Sequence, residues 1–121
     1  MNHLTLCFLS ILLFPAAGVQ VTWLTPTEHD FGDLLQGKPV QVEFRYRNDG
    51  AAPLVIDNVR PSCGCTTPGW PEEPLPPDSS ATILVAFNAR NAGYFRKLIK
   101  VYFQGQRRAE RLYVEGFVVK N

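Results

Sequence analysis

Cys63-Gly64-Cys65 places two thiols one residue apart, and no other stretch of this chain concentrates as much reactive chemistry. Such a pair is a poor structural staple. In the chain-entropy model, closing so small a ring contributes roughly 1.6 kcal/mol, about half the value for a 15-residue loop. An extended i, i+2 pair also holds its Cα atoms near the upper limit for a bridge, so closure needs a turn at Gly64 and strains the ring. Three uses stay open: a redox-active bridge, a pincer for a soft metal, or a modest local clip.

Each use makes its own demands on the remaining residues. Cu(I) is satisfied by two or three soft ligands, and Cys63, Cys65 and His29 would suit it; no cofactor is expected apart from this copper option. Structural zinc wants four ligands, and this set falls short unless Asp30 or a second chain helps. Thiol–disulfide exchange suits a small strained ring, whose reduction potential is raised. No Cys-x-x-Cys and no thioredoxin-like βαβ pattern accompanies it, however. Other catalysis has little to work with. A Ser-His-acid site would need His29 to meet Ser62, Ser79 or Ser80, and no nucleophile elbow is present. The paired carboxylates Glu72-Glu73 lie in a proline-rich stretch with no sign of a sugar cleft. The expectation is a protein that is not an enzyme and has no catalytic residues.

The compartment bears on the thiols. Leu4 to Phe14 is an apolar run followed by Pro15 and the small residues Ala16-Ala17-Gly18, which matches a signal peptide over residues 1–18 with cleavage after Gly18. The run is too short for a stable membrane anchor. Its removal takes Cys7 away and leaves an even pair of thiols in an oxidising compartment. Residues 19–121 then form one small domain, exported to the periplasm or secreted, which argues against a nucleic-acid partner.

The net charge of +1 is unevenly spread. From Arg90 onward Arg96, Lys97, Lys100, Arg107, Arg108, Arg111 and Lys120 face only Glu110 and Glu115. A basic third of this kind could bind an anionic polymer or membrane surface. The plainer expectation is that these basic strands pair beside acidic ones such as Val40–Arg47 and leave a mixed solvated surface.

Hydrophobic periodicity is that of strands. Val40 to Arg47 alternates without a break and points Val40, Val42, Phe44 and Tyr46 to a core. Asn48-Asp49-Gly50 supplies a turn, and Leu54-Val55-Ile56 reads as a short strand ending at Asp57-Asn58. Ile83, Val85 and Phe87 share one face of a strand over Thr82 to Asn88. Phe95, Ile99, Val101 and Phe103 form the next inward stripe, with Lys97 at its rim. Leu112, Val114 and Val118 complete the last strand, where Gly116 marks a bulge or a close approach. Pro61 to Asp78 reads as a rigid surface loop, its prolines excluding an interior strand and Trp70 pinning it. With Val21-Trp23 and the Phe31 region added, about seven strands emerge, an immunoglobulin-like β-sandwich.

Particular segments also carry a resemblance. They are His29-Asp30-Phe31-Gly32-Asp33-Leu34 with Gly37, Phe44 to Gly50 followed by Pro53-Leu54, Ser62-Cys63-Gly64-Cys65-Thr66, Trp70, and Leu112 to Val118. On these the chain resembles the bacterial exported family called domain of unknown function 1573, itself similar to Hydin-type (ASH) immunoglobulin-like modules. The resemblance covers nearly all of residues 19–121, and Cys-Gly-Cys-Thr is its most distinctive part. Where the family usually has Pro-Gly-Glu, this chain reads Pro77-Asp78-Ser79, which affects only a turn. The resemblance implies a seven-strand sandwich, no established activity, and relatives that serve as interaction modules.

That points to a binding or structural role toward a protein or cell-envelope partner. A two-layer sandwich buries one face of each sheet, so apolar residues on the second faces suggest a contact surface. Leu84, Leu98, Tyr102, Tyr113, Phe117 and Val119 are of this kind, with Trp70 as a further candidate.

Overall fold

Alternation along the chain becomes burial in the fold. Phe44 and Tyr46 are buried while Gln41, Glu43 and Arg45, which alternate with the inward positions of the same strand, are exposed, the pattern of a strand with one face on a core. A computed structural model describes residues 18–121, which form eight strands and no helix. They are β1 (Val21–Trp23), β2 (Glu28–Leu35), β3 (Val40–Asn48), β4 (Ile56–Pro61), β5 (Thr66–Gly69), β6 (Ser80–Phe87), β7 (Gly93–Phe103) and β8 (Glu110–Val119). The signal-peptide assignment lies, but for Gly18, outside the described residues.

The strands make two four-stranded sheets, ordered β1-β3-β6-β5 and β2-β8-β7-β4. All pairings are antiparallel except β2 with β8. Between the layers lie Phe44, Tyr46, Ile83, Val85 and Phe87 from one sheet and Phe95, Ile99, Val101, Phe103, Leu112, Val114 and Val118 from the other. Each such side chain contributes about 1.5–3 kcal/mol by leaving water, far more than the surface ion pairs described below. Aromatic pairs cross the gap. Phe87 stacks on Phe95 with centroids 4.0 Å apart, and Tyr46 meets Phe103 edge-on at 5.7 Å.

One buried polar residue ties the loops to this core. Asn48, at the end of β3, donates through Nδ2 to the carbonyls of Ala52 and Leu75, both at 2.9 Å, and accepts from the Gly50 N–H at 2.9 Å. Its backbone adds bonds to Ser79 and Asp78. The Asn48-Asp49-Gly50 turn therefore starts a crossover between sheets.

Four expectations are corrected. The strand placed at Leu54–Ile56 begins at Ile56 and runs to Pro61, while Leu54 forms only an isolated bridge with Leu75. Asp57-Asn58, read as a terminating turn, is an irregularity in the β4–β7 register that lets Ile56 and Val59 both face inward. The loop from Pro61 to Asp78 contains an eighth strand, β5, with Pro68 inside it. Its only partner is β6, so it is an edge strand, where a missing N–H is tolerated. Finally, β3, expected as an acidic neighbour of the basic strands β7 and β8, does not pair with them, because it lies in the opposite sheet, and its charged residues are Glu43, Arg45 and Arg47.

Candidate functional site

The two cysteines stand where the chain leaves one sheet for the other, between the edge strands β4 and β5. A turn at Gly64-Cys65 brings their Cα atoms to 5.3 Å and sets the two sulfurs in direct contact, the arrangement of a disulfide. The Cys65 N–H donates to the Cys63 sulfur at 3.2 Å, and the Cys65 carbonyl accepts from the Asn88 N–H at 3.0 Å. Both side chains are half-buried, with Cys65 packed on the core margin. It lines a small recess of about 100 Å³ that Lys97 and Tyr94 share.

His29 is elsewhere. It sits on β2, paired with Val114, with its ring edge-on to Phe31 at 4.6 Å. β2 is one edge of its sheet and β4, which leads to the cysteines, is the other. The fold therefore does not bring His29 to the thiols. Among the described residues no group of three or more His, Cys, Asp or Glu side chains is placed to hold a metal ion. A soft-metal site would rest on Cys63 and Cys65 alone.

Of the seven apolar surface candidates, five share one face, Val119 at the end of β8 among them. Leu98 and Tyr102 on β7 and Tyr113 and Phe117 on β8 all project from the outer side of the β2-β8-β7-β4 sheet, with Leu98 directly paired to Tyr113. The other two do not join them. Leu84 lies on the outer side of the opposite sheet between Glu43 and Gly69, and Trp70 packs against the core margin as the anchor of its loop. Sequence reasoning missed Tyr94, which pairs with Phe117 and is 67% exposed. It was hidden beside the Asn91-Ala92-Gly93 turn, yet its alternation with the inward Phe95 was the signal that could have found it.

Polar groups frame this face unevenly. Toward β2, the Arg96 guanidinium stacks over the Tyr113 ring at 4.3 Å and pairs with Glu28 at 2.9 Å and Glu115 at 3.6 Å. The Tyr94 hydroxyl donates to Glu115 at 3.0 Å, a bond that holds the phenol above its ordinary pKa. Tyr94, Phe117, Glu115, Asp30 and Asp33 together line a recess of about 190 Å³. Toward β4 the framing residues are basic: Arg60 lies over the Tyr102 ring at 5.6 Å and is paired in register with Lys100. The outer face thus runs from an acidic rim through aromatic residues to a basic one.

Comparison with known proteins places this geometry. A structure of a protein of unknown function from Porphyromonas gingivalis W83 superposes with a TM-score of 0.71 at 19% identity, covering 90% of this chain and 51% of the other. This chain thus spans about half the length of that protein. The ASH / PapD-like domain of human CEP192 (PapD-like domain 7) gives 0.69 at 11% identity, covering 99% of each. The Vibrio cholerae VesB protease gives 0.61 at 14% identity over 83% of this chain but 32% of the protease. At these identities the likeness is one of fold alone. No curated protein matches the sequence. The family model described as Protein of unknown function (DUF1573) matches residues 22–118, and the chain belongs to that family.

Proposed function

We propose that this protein is an exported, non-enzymatic sandwich that binds a protein or cell-envelope partner through the outer face of its β2-β8-β7-β4 sheet. The observation that carries this reading is the outward set of Tyr94 and Phe117, both exposed, with the half-buried Leu98 and Tyr113 on the same adjacent strands. Core-type residues held in water on one contiguous face are those an interface would cover, and tyrosines are enriched at such contacts. Arg96 fits the same role, since a guanidinium already stacked on Tyr113 presents a flat, pre-ordered surface. On this reading the partner is neither nucleic acid nor a bilayer core, which follows from the proposed export. Sedimentation of the purified protein, alone and mixed with envelope extract, tests the reading. A strictly monomeric protein that acquires no faster-sedimenting form contradicts it.

A second reading concerns the thiols and is favoured by the hydrogen bond from the Cys65 N–H to the Cys63 sulfur. Such a donor stabilises a thiolate, so on reduction Cys63 is the sulfur prepared for exchange or for Cu(I). A Cu(I) titration of the reduced protein against a chelator tests the metal form of this reading. Affinity that survives Cys63→Ser excludes it, and affinity that is lost in His29→Ala shows a rearranged chain.

A further inference from the structure

The basic rim described above is built in an unusual way. Lys100 on β7 is paired in register with Arg60 on β4 on one side and with Arg111 on β8 on the other. Three cations thus stand side by side across three neighbouring strands, spanning about 10 Å at the ordinary inter-strand spacing. Like charges directly opposite one another destabilise a sheet, so this rung costs folding free energy. Arg107 and Arg108, in the connection from β7 to β8, extend the row. Among the described residues the ion pairs are Arg47–Asp49, Arg96–Glu28 and Arg96–Glu115, and none of these five cations takes part in one.

The surface at the row is recessed. Lys100, Tyr102, Arg107, Arg108 and Arg111 line a depression of about 510 Å³, and a second of about 310 Å³ adjoins it at Lys100 and Tyr102 and reaches Arg60. A planar bilayer meets what projects from a protein. A trough of charges instead admits a narrow chain whose own charges recur along its length. Four guanidinium forks and one ammonium are also the donor set that takes phosphate oxygens, bidentately at arginine and as a point charge at lysine.

We infer that the trough formed by Arg60, Lys100, Arg107, Arg108 and Arg111 is a binding site for an extended, phosphate-bearing polyanion laid across β4, β7 and β8. The cations of this site are separate from the aromatic cluster, although Leu98 and Tyr102 of the wider apolar set help to line it, and neither Tyr94 nor Phe117 does, so either can fail without the other. Glu43, the one carboxylate on the β3 strand that was expected to pair beside these basic ones, is in the other sheet, which leaves the row available to an external anion.

Linear inorganic polyphosphate, fluorescently labelled, is the probe, titrated with the purified protein at several salt concentrations. Saturable binding whose logarithm falls linearly with the logarithm of salt is expected. K100Q/R111Q should weaken it at least about tenfold and flatten the salt slope. K38Q/K120Q removes the same charge from the other end of the sandwich and should leave binding within about twofold. Removing two opposed like charges should leave the melting temperature of K100Q/R111Q equal or higher, so lost binding is not lost fold. Absence of polyphosphate binding overturns the proposal, as does an equal loss in both double variants. Binding to phosphatidylglycerol-containing vesicles without binding to polyphosphate overturns it in favour of a membrane surface.

Discussion

Gly32 and Gly116 meet across the β2–β8 pair so closely that a β-carbon on Gly116 would sit 2.8 Å from the Gly32 carbonyl oxygen and 3.0 Å from the Phe95 ring. The contact has a cause on each side. The β2 register shifts between Asp30 and Asp33, where the Asp30 carboxylate accepts from the Gly32 N–H at 2.8 Å and Gly32 takes a φ of +68°. That bulge pushes backbone toward β8, and only a residue without a side chain fits beneath it. Gly116→Ala should therefore destabilise the fold by about 1–3 kcal/mol, read as a lower urea midpoint with an unchanged slope.

Asn48 holds two loops and its own strand end through one buried amide. Asn48→Ala strips the carbonyls of Ala52 and Leu75 of their donor and frees the Gly50 N–H. The expected loss is about 3 kcal/mol, larger than for truncating any exposed β3 residue such as Glu43. Chemical denaturation of the two variants side by side checks the order.

The cysteine ring should matter little to global stability. Its loop is so short that reduction, or Cys63→Ser with Cys65→Ser, should lower the unfolding free energy by no more than about 2 kcal/mol and keep the β-type circular dichroism spectrum. Intact mass before and after reductant should differ by two hydrogens. A collapse of the fold on reduction would mean that the turn between β4 and β5 carries more of the structure than its size allows.

Asp49 gives the fold an acid-sensitive contact. The Arg47 guanidinium donates to its carboxylate at 2.7 Å, and the Thr22 hydroxyl donates to it as well, which together hold the Asp49 carboxyl below its ordinary pKa. A carboxyl depressed in the folded state stabilises it fully above the unfolded value of about 4 and loses that contribution as pH falls through the folded value. Wild type should therefore lose more stability than Asp49→Asn on acidification below about pH 4, and the two should run parallel above about pH 5. Thermal melts across that range supply the comparison.

Much of this architecture was legible because it follows from period-two alternation. Phe44 and Tyr46, then Ile83, Val85 and Phe87, then Phe95, Ile99, Val101 and Phe103 are inward where their spacing places them, and Gly116 is the close approach its position suggested. Strand β5 was not legible, since its Thr-Thr-Pro-Gly sequence has no alternation and is a strand only because the β6 edge offers it partners. Asp57-Asn58 misled for a related reason: the residues that favour a turn also favour a bulge, and only the β7 register distinguishes them. The site divides along the same line. Alternation alone identifies the outward residues of β7 and β8, whereas Leu84 and Leu98 look alike in sequence and are assigned to different surfaces by sheet order. The cationic rung was invisible for the same reason, because Arg60 and Lys100 are neighbours only through pairing.

The claim that the aromatic outer face is the working surface is tested most directly by sedimentation velocity in envelope extract, comparing wild type with Tyr94→Ser/Phe117→Ser. Both side chains are exposed, so the variant should fold normally. The account predicts a faster-sedimenting species for wild type and a monomer for the variant. The same complex in both, or none in either, would contradict it.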